Sequence, residues 1–253
     1  MQRYFLEDFL LLDQKTIQVT GDVFHHITRV LRMNKEDKVY LVFQNEQSFL
    51  AKILKIETNY VIFSLLEKEN QVKELPIKIT IAHGFPKKEK LDLIIQKGTE
   101  LGAYSIIAFP SDRSIPKWDA KKLLKKQKRL TKIAKKASEQ SQRTHMPLVE
   151  LLNSKQDLLN KFKNYDFVVV VYEKAAKKDG QSQLAQFLTK IKKSAKMLVI
   201  FGPEGGLSIE EVEVFLANKA FIVGLGPRIL RAETAPLYFL SVISYELELR
   251  LKN

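Results

Sequence analysis

Two stretches hold most of the residues that could do chemistry. "FGPEGGLSIEE", from Phe201, sets three glycines, a proline and Glu204 between an apolar run and a helical pattern, and "GLGPRILRAETAP", from Gly224, adds two glycines, Arg231 and Glu233. Glycine lets a ligand approach the backbone closely, and loops that follow the strands of a parallel sheet are where ligands bind. Phosphate is a poor candidate, because no Gly-Lys-Ser/Thr ending is present and Glu204 would repel an anion. A dinucleotide fingerprint fails as well: Gly224-Leu225-Gly226 lacks the third glycine, and little chain remains for its acidic partner. A tight glycine turn with no ligand accounts for either loop alone. Two such loops at neighbouring strand ends point to one crevice, with apolar walls from Leu225, Ile229 and Leu230 suited to a flat ring.

The other reactive residue types narrow the choice. With zero cysteines there is no disulfide and no thiolate metal site, which fits a reducing cytoplasm. The four histidines include the adjacent His25 and His26, which diverge on any regular element, and no His-Glu-x-x-His spacing occurs, so no metal is expected. A formal net charge of +13 suits a polyanionic partner, nucleic acid or an anionic membrane surface. Insertion into a membrane is not expected, because "FVVVVY" from Phe167 is far short of the ~18 apolar residues a spanning helix needs. The run "FLLL" from Phe9 follows Glu7 and Asp8 and does not read as a signal peptide. From Lys117 to Lys136 ten basic residues, among them Lys121, Lys125 and Arg129, face a single acid, Asp119. As a helix, this segment lines Ala120, Leu123, Leu124, Gln127, Leu130, Ala134 and Ala137 along one face. Any one lysine there is ordinary solvated surface, but the block as a whole suits an anionic partner. Arg29 and Arg32 form a second basic patch.

Positioning these residues requires two kinds of element. The first 70 or so residues read as the short strands "QRYFLE", "TIQVT", "DKVYLVFQ", "SFLAKILKIE" and "YVIFSLLE", with one helix around "DVFHHITRVLR", and suggest a small antiparallel barrel. From Ile77, strand-like runs alternate with helical ones, which argues for a parallel sheet covered by helices. The boundary falls near residues 70 to 76, giving domains 1–72 and 73–253. Ser208 with Glu211 forms a capping box for the helix after the first glycine loop, and Thr234 is expected to cap the helix after the second.

These two loops, in this order, resemble the signature motifs of the knotted SPOUT-type RNA methyltransferases, and specifically of the RsmE-type 16S ribosomal RNA uridine-N3 methyltransferases. "HHITRVLRM", "KKEKLDLIIQKGTELGA", "SDRS" at Ser111 to Ser114 and "KIAKKASEQSQR" ending at Arg143 agree, so the resemblance covers nearly the whole chain. It implies a PUA-like β-barrel RNA-binding domain followed by an α/β domain with a deep trefoil knot that binds S-adenosylmethionine. The cofactor site it implies consists of Gly202, Pro203, Glu204 and Gly205, of Leu225, Gly226, Ile229, Leu230 and Arg231, and of Tyr172 and Glu173 at the end of an adjacent strand.

The implied chemistry asks the protein to orient an activated methyl group and to assist loss of the uridine N3 proton. Arg231, Arg113 and Arg143 are candidates for stabilising the developing anion, with a phosphate contact or an ordinary ion pair as the alternative role, equally weighted for Arg113 and Arg143. Glu233 and Glu204 are candidate proton acceptors, with capping or ion pairing as the alternative role. Rival readings are a SPOUT ribose 2'-O-methyltransferase and a catalytically silent RNA-binding protein. The implied partners are 16S rRNA within the small ribosomal subunit and a second copy of the chain. The second copy would dock on the C-terminal helix, where "APLYFLSVISY" from Ala235 spreads apolar residues around the whole circumference.

Overall fold

The computed structural model describes residues 1–8, 15–173, 183–188, 191 and 194–250. The chain divides into two units, Met1–Glu74 with Ser138–Met146, and Leu75–Ala137 with Pro147–Asn253. The run "FLLL" lies outside the described residues, as do parts of the helical segment expected from Ser182.

The first unit is a five-stranded sheet in the order β1-β3-β4-β5-β2, formed by β1 (Arg3–Phe5), β2 (Thr16–Val19), β3 (Lys38–Val42), β4 (Ser48–Ile56) and β5 (Val61–Lys68). Its pairings are antiparallel except β1 with β3, which is parallel. The small antiparallel barrel expected from the sequence has this one parallel pairing. Between β1 and β3 the chain makes β2, the helix α1 (Gly21–His25) and a π-helical turn (His26–Val30), and such a crossover returns a strand parallel where a hairpin cannot. Irregular pairing at Leu50/Ala51 and Ile53/Lys55 bends β4 against β5, over a core that includes Ile27, Leu41, Ile53 and Phe63. The segment Ser138–Met146 is bonded into this unit. Arg3 Nε donates to Gln142 Oε1 at 3.3 Å, Arg143 Nε donates to Glu74 at 3.0 Å, and His145 Nδ1 lies 2.8 Å from Glu46.

The second unit is a six-stranded, wholly parallel sheet in the order β11-β9-β10-β6-β7-β8. Its strands are β6 (Lys78–Gly84), β7 (Ser105–Phe109), β8 (Leu148–Leu151), β9 (Phe167–Val171), β10 (Lys196–Phe201) and β11 (Phe221–Val223). The described helices are α2 (Lys90–Glu100), α3 (Ala120–Gln140), α4 (Lys155–Lys161), α5 (Gln183–Leu188), α6 (Ile209–Ala217) and α7 (Thr234–Ser244). The strand β10 is apolar without alternation because both faces are covered: Met197, Val199 and Phe201 enter one core, Leu198 and Ile200 the other. Burial of each such side chain contributes about 1.5–3 kcal/mol.

Two elements were not anticipated from the sequence. The edge strand β8 is only four residues long, and α4 opens with a capping box between Ser154 and Asp157. The expected apolar face of α3 is narrower than drawn. Leu123, Leu130, Ala134 and Ala137 are buried, Gln127 accepts from Leu151 N, and Ala120 and Leu124 face solvent. At 100° per residue those two positions fall beyond the edge of the stripe. The order β11-β9-β10 also sets three strand ends side by side. The loops leaving them begin at Tyr172, Gly202 and Gly224. Among the described residues no helix is long and apolar enough to cross a membrane.

Candidate active site

Beyond those strand ends lies a cavity of about 550 Å³, within the size range of small-molecule sites. Tyr172 and Glu173 line it, as do Gly202, Pro203, Glu204 and Gly205 of the first loop and Leu225, Gly226, Ile229, Leu230 and Arg231 of the second. All the residues expected to hold a cofactor therefore share one wall system. Arg113, Arg228, Lys90 and Ala235 join them.

The first loop folds on itself. A Cβ at Gly202 would stand 2.6 Å from Gly206 C and 2.7 Å from Leu207 N, so only glycine fits. Gly206 N–H donates to Pro203 O at 2.8 Å, and Gly206 itself has φ of 71°. Pro203 in turn presses on the end of β6, where a Cβ at Gly84 would meet Pro203 Cδ at 2.6 Å. The loop then enters α6 through the expected capping box: Glu211 N–H donates to Ser208 Oγ at 3.0 Å and Ser208 N–H to Glu211 Oε2 at 2.9 Å.

Glu211 does more than cap. It is fully buried, and it also accepts from Ser111 Oγ and from Asp112 N–H, each at 3.0 Å. Asp112 accepts from Ser208 Oγ at 2.8 Å and from Lys155 Nζ at 2.7 Å. Its carboxyl is held below the usual range, chiefly by that lysine. This network fixes the "SDRS" turn after β7, and the next residue, Arg113, lays its stem on Gly205 and donates from Nη1 to Gly205 O at 2.8 Å.

The second loop is held mainly at its far end. The fully buried His83 places Nε2 3.0 Å from Ala232 O and Nδ1 2.6 Å from Gly84 O, with its ring stacked on Phe201. Burial pushes the imidazole pKa down, against the pull of the two carbonyls and of Glu204 and Glu233. The helix α7 starts at Thr234 with Glu233, not Thr234, in the capping position and no side-chain cap. Instead the N–H groups of Thr234 and Ala235 donate to Arg231 O at 2.9 and 3.0 Å, which turns the chain tightly enough to move the start by one residue. Gly226 has φ of 101°, and no atom lies within 4 Å of where its Cβ would be. Ile229 is 74% exposed.

One cation joins the two loops. Lys90 Nζ lies 3.2 Å from Glu204 Oε1 and 3.0 Å from Glu233 Oε2, the latter contact an ion pair rather than an aligned hydrogen bond. Glu204 also accepts from Lys87 N–H at 3.0 Å. Although burial works to raise them, both carboxyl pKa values are lowered. Backbone N–H groups and Lys90 lower that of Glu204, and Lys90 and Arg231 act with the backbone on Glu233.

The remaining candidates separate. Arg29 and Arg32 are exposed in the first unit, and Lys121 and Lys125 are exposed on α3. Arg129 pairs with Asp92. Arg143 is 3% exposed in the first unit and forms an ion pair with Glu74, which also accepts from the N–H groups of Thr144 and His145. Glu233 stands behind Lys90 and does not line the cavity. Sequence reasoning gave no role to Lys90, Ser111, Asp112 or Lys155, although the first three lie in motifs that carry the resemblance. Lys90 carried a readable signal, a cation in the first turn of a helix; the others are joined only by the fold. Among the described residues no cluster of three or more His, Cys, Asp or Glu could hold a metal ion.

Residues 73–244 match the model of an RNA methyltransferase domain and residues 19–66 that of an RNA methyltransferase PUA domain. The chain is 44% identical over 251 residues to the ribosomal RNA small subunit methyltransferase E of Bacillus subtilis, covering 98% of each. It is 31% identical to the protein of that name from Rickettsia conorii, over 90% of this chain and 88% of that one. Among solved structures, the Neisseria gonorrhoeae ribosomal RNA small subunit methyltransferase E bound to S-adenosyl methionine superposes with a TM-score of 0.83 at 25% identity, over 97% of this chain and 98% of that one.

Proposed function

The chain belongs to the family of the ribosomal RNA small subunit methyltransferases E, and on that premise we propose that it transfers a methyl group from S-adenosylmethionine to N3 of a uridine in 16S rRNA. The observation that carries this reading is the single cavity that both glycine loops and the end of β9 enclose. Its residues fit the cofactor. Open space faces the missing Cβ of Gly226, Leu225, Ile229 and Leu230 offer apolar walls, and charged groups of both signs stand at the rim for an amino-acid end.

Bound there, S-adenosylmethionine supplies a methyl group already activated by its sulfonium charge. The chain's work is binding and electrostatics. Backbone groups of Gly202 to Gly205 and of Leu225 and Gly226 would receive the flat base against the apolar side chains of Leu225, Ile229 and Leu230. Glu233 and Glu204, held as carboxylates below the usual range, are weak bases. Stabilisation of the uracil anion by Arg231 and Arg113, which both line the cavity, therefore contributes more than proton abstraction by either carboxylate.

Exposed Lys121, Lys125, Lys128 and Lys132 on α3 support RNA contact by that helix, with Arg29 and Arg32 as a second contact. Reversing the four lysines should weaken RNA binding and reduce the slope of log K against log salt by about 0.7–0.9 per lost phosphate contact, with cofactor affinity unchanged. An unaltered salt slope removes α3 from the interface. Tyr238, Tyr245 and Leu249 lie exposed along α7 and the π-helical turn Tyr245–Leu249 that continues it, which supports a homodimer formed there; light scattering at micromolar concentration tests it. The decisive assay is nucleoside analysis of 16S rRNA, naked and in small subunits, after incubation with protein and cofactor. The product 3-methyluridine is expected; a 2'-O-methyl nucleoside would favour the ribose methyltransferase, and no transfer the silent binder.

A further inference from the structure

Lys90 occupies an unfavourable position. It is the first residue of α2, where the positive end of the helix dipole disfavours a cation, and the turn before it is strained, with Lys88 at φ of 54°. Its ammonium nevertheless turns toward the cavity wall and lies between two carboxylates, Glu204 of the first glycine loop and Glu233 at the end of the second. Glu204 has other tethers, since Lys87 N–H donates to it and the loop around it is closed by Gly206 N–H on Pro203 O. Glu233 has a different situation. Its Oε2 is buried without an aligned hydrogen-bond partner, so the ion pair with Lys90 is what compensates that oxygen. The residues before it, from Pro227 to Ile229, are exposed.

We propose that Lys90 is a positioning residue that pins the second glycine loop to the first, holding the cofactor crevice in its binding-competent shape before the cofactor arrives. Both carboxyl pKa values are lowered and that of Lys90 is raised, chiefly by Glu233, so all three groups are charged at neutral pH. Without the ammonium, two carboxylates would face each other across the loop junction, and the second loop would lose its tie to the first while keeping its anchor to His83 at Ala232. The cofactor would then bind a fraction of molecules, and its apparent dissociation constant would rise by the inverse of that fraction.

The inference rests on the proposed cofactor only for its binding arm, because loop order is measured on the free protein. Hydrogen exchange followed by mass spectrometry on Lys90→Met should show amides of Leu225 to Arg231 exchanging about tenfold faster, with those of Gly202 to Leu207 unchanged. Calorimetry should show about tenfold weaker S-adenosylmethionine binding. Lys90→Arg, which keeps the charge, should restore both. Should Lys90→Met not fold, Glu233→Gln removes the other end of the bridge and should accelerate the same amides. Unchanged exchange in the second loop overturns the proposal, even if cofactor binding weakens, since Lys90 would then be a direct ligand contact. Failure of the wild-type protein to bind the cofactor overturns the functional reading instead and leaves the exchange result standing.

Discussion

The two glycine loops leave β10 and β11, which are not the neighbours expected but flank β9, and they share one cavity, yet they are built in opposite ways. The first is over-determined: Gly202 is there because backbone occupies the space of a side chain, and a fully buried carboxylate, Glu211, ties the loop's exit to a turn on another strand. The second has room around it. Gly226 is there for its backbone angle, and the loop is tethered at Ala232 and Glu233, near its end. A site of this kind pairs a preformed wall with one that can be ordered by what it binds, and substitutions should act on stability at the first and on affinity at the second.

The largest effect is expected at Gly202. Replacement by Val forces a branched side chain into Gly206 and Leu207, and should cost about 3 kcal/mol of stability, at the upper end of overpacking, with cofactor binding lost. Gly226→Val meets no neighbour at Cβ, and the open loop relaxes out of the positive φ rather than straining the fold, so cofactor binding should weaken by about 1–3 kcal/mol with the denaturation midpoint little changed. Equal midpoints for the two variants would erase the contrast between the loops.

Next comes Glu211→Ala, which strips acceptors from Ser111 Oγ, Asp112 N–H and Ser208 N–H in a buried setting. A loss of about 2–3 kcal/mol in urea denaturation is expected. Arg113 loses its support and transfer slows further than stability alone would explain. A variant as stable as the parent would show that the first loop does not depend on this network.

The smallest effect is titration. The folded pKa values of Glu204 and Glu233 lie below the ordinary 4.5, so their contribution is fully present above that value and is lost as pH falls through the lower folded values. The folded pKa of Lys90 is raised above 10.5, so its contribution is intact below that value and is lost as pH rises through the higher folded one. Hydrogen exchange in the second loop, corrected for intrinsic rates, should therefore be flat between about pH 5 and 9 and accelerate in acid. A second loop indifferent to acid would detach it from the carboxylate pair.

Much of this was legible in the sequence because it is local. Glycine, proline and the Ser208–Glu211 spacing report backbone geometry directly, and continuous apolar runs such as "MLVIF" report strands buried on both faces. What the sequence concealed was pairing over long separations. That Glu211 serves Ser111 and Asp112, and that Arg143 is spent on Glu74 within the first unit, depends on side chains brought together by the fold alone. The same limit explains β1, whose parallel partner β3 no periodicity could name.

The register of the second sheet carries a consequence for how the molecule comes into being. The strand β6 pairs with β10 from Lys78 with Lys196 to His83 with Phe201, across more than a third of the chain. During synthesis at ~5–20 residues per second, β6 leaves the ribosome on the order of ten seconds before its neighbour exists. Its apolar edge must wait, open to wrong partners, for a pairing of high contact order that forms slowly in any case. Because β10 and β11 also deliver both glycine loops, the binding crevice is among the last parts of this protein to be assembled. A nascent chain stalled before Lys196 could carry the whole first unit and still have no place to hold a methyl donor.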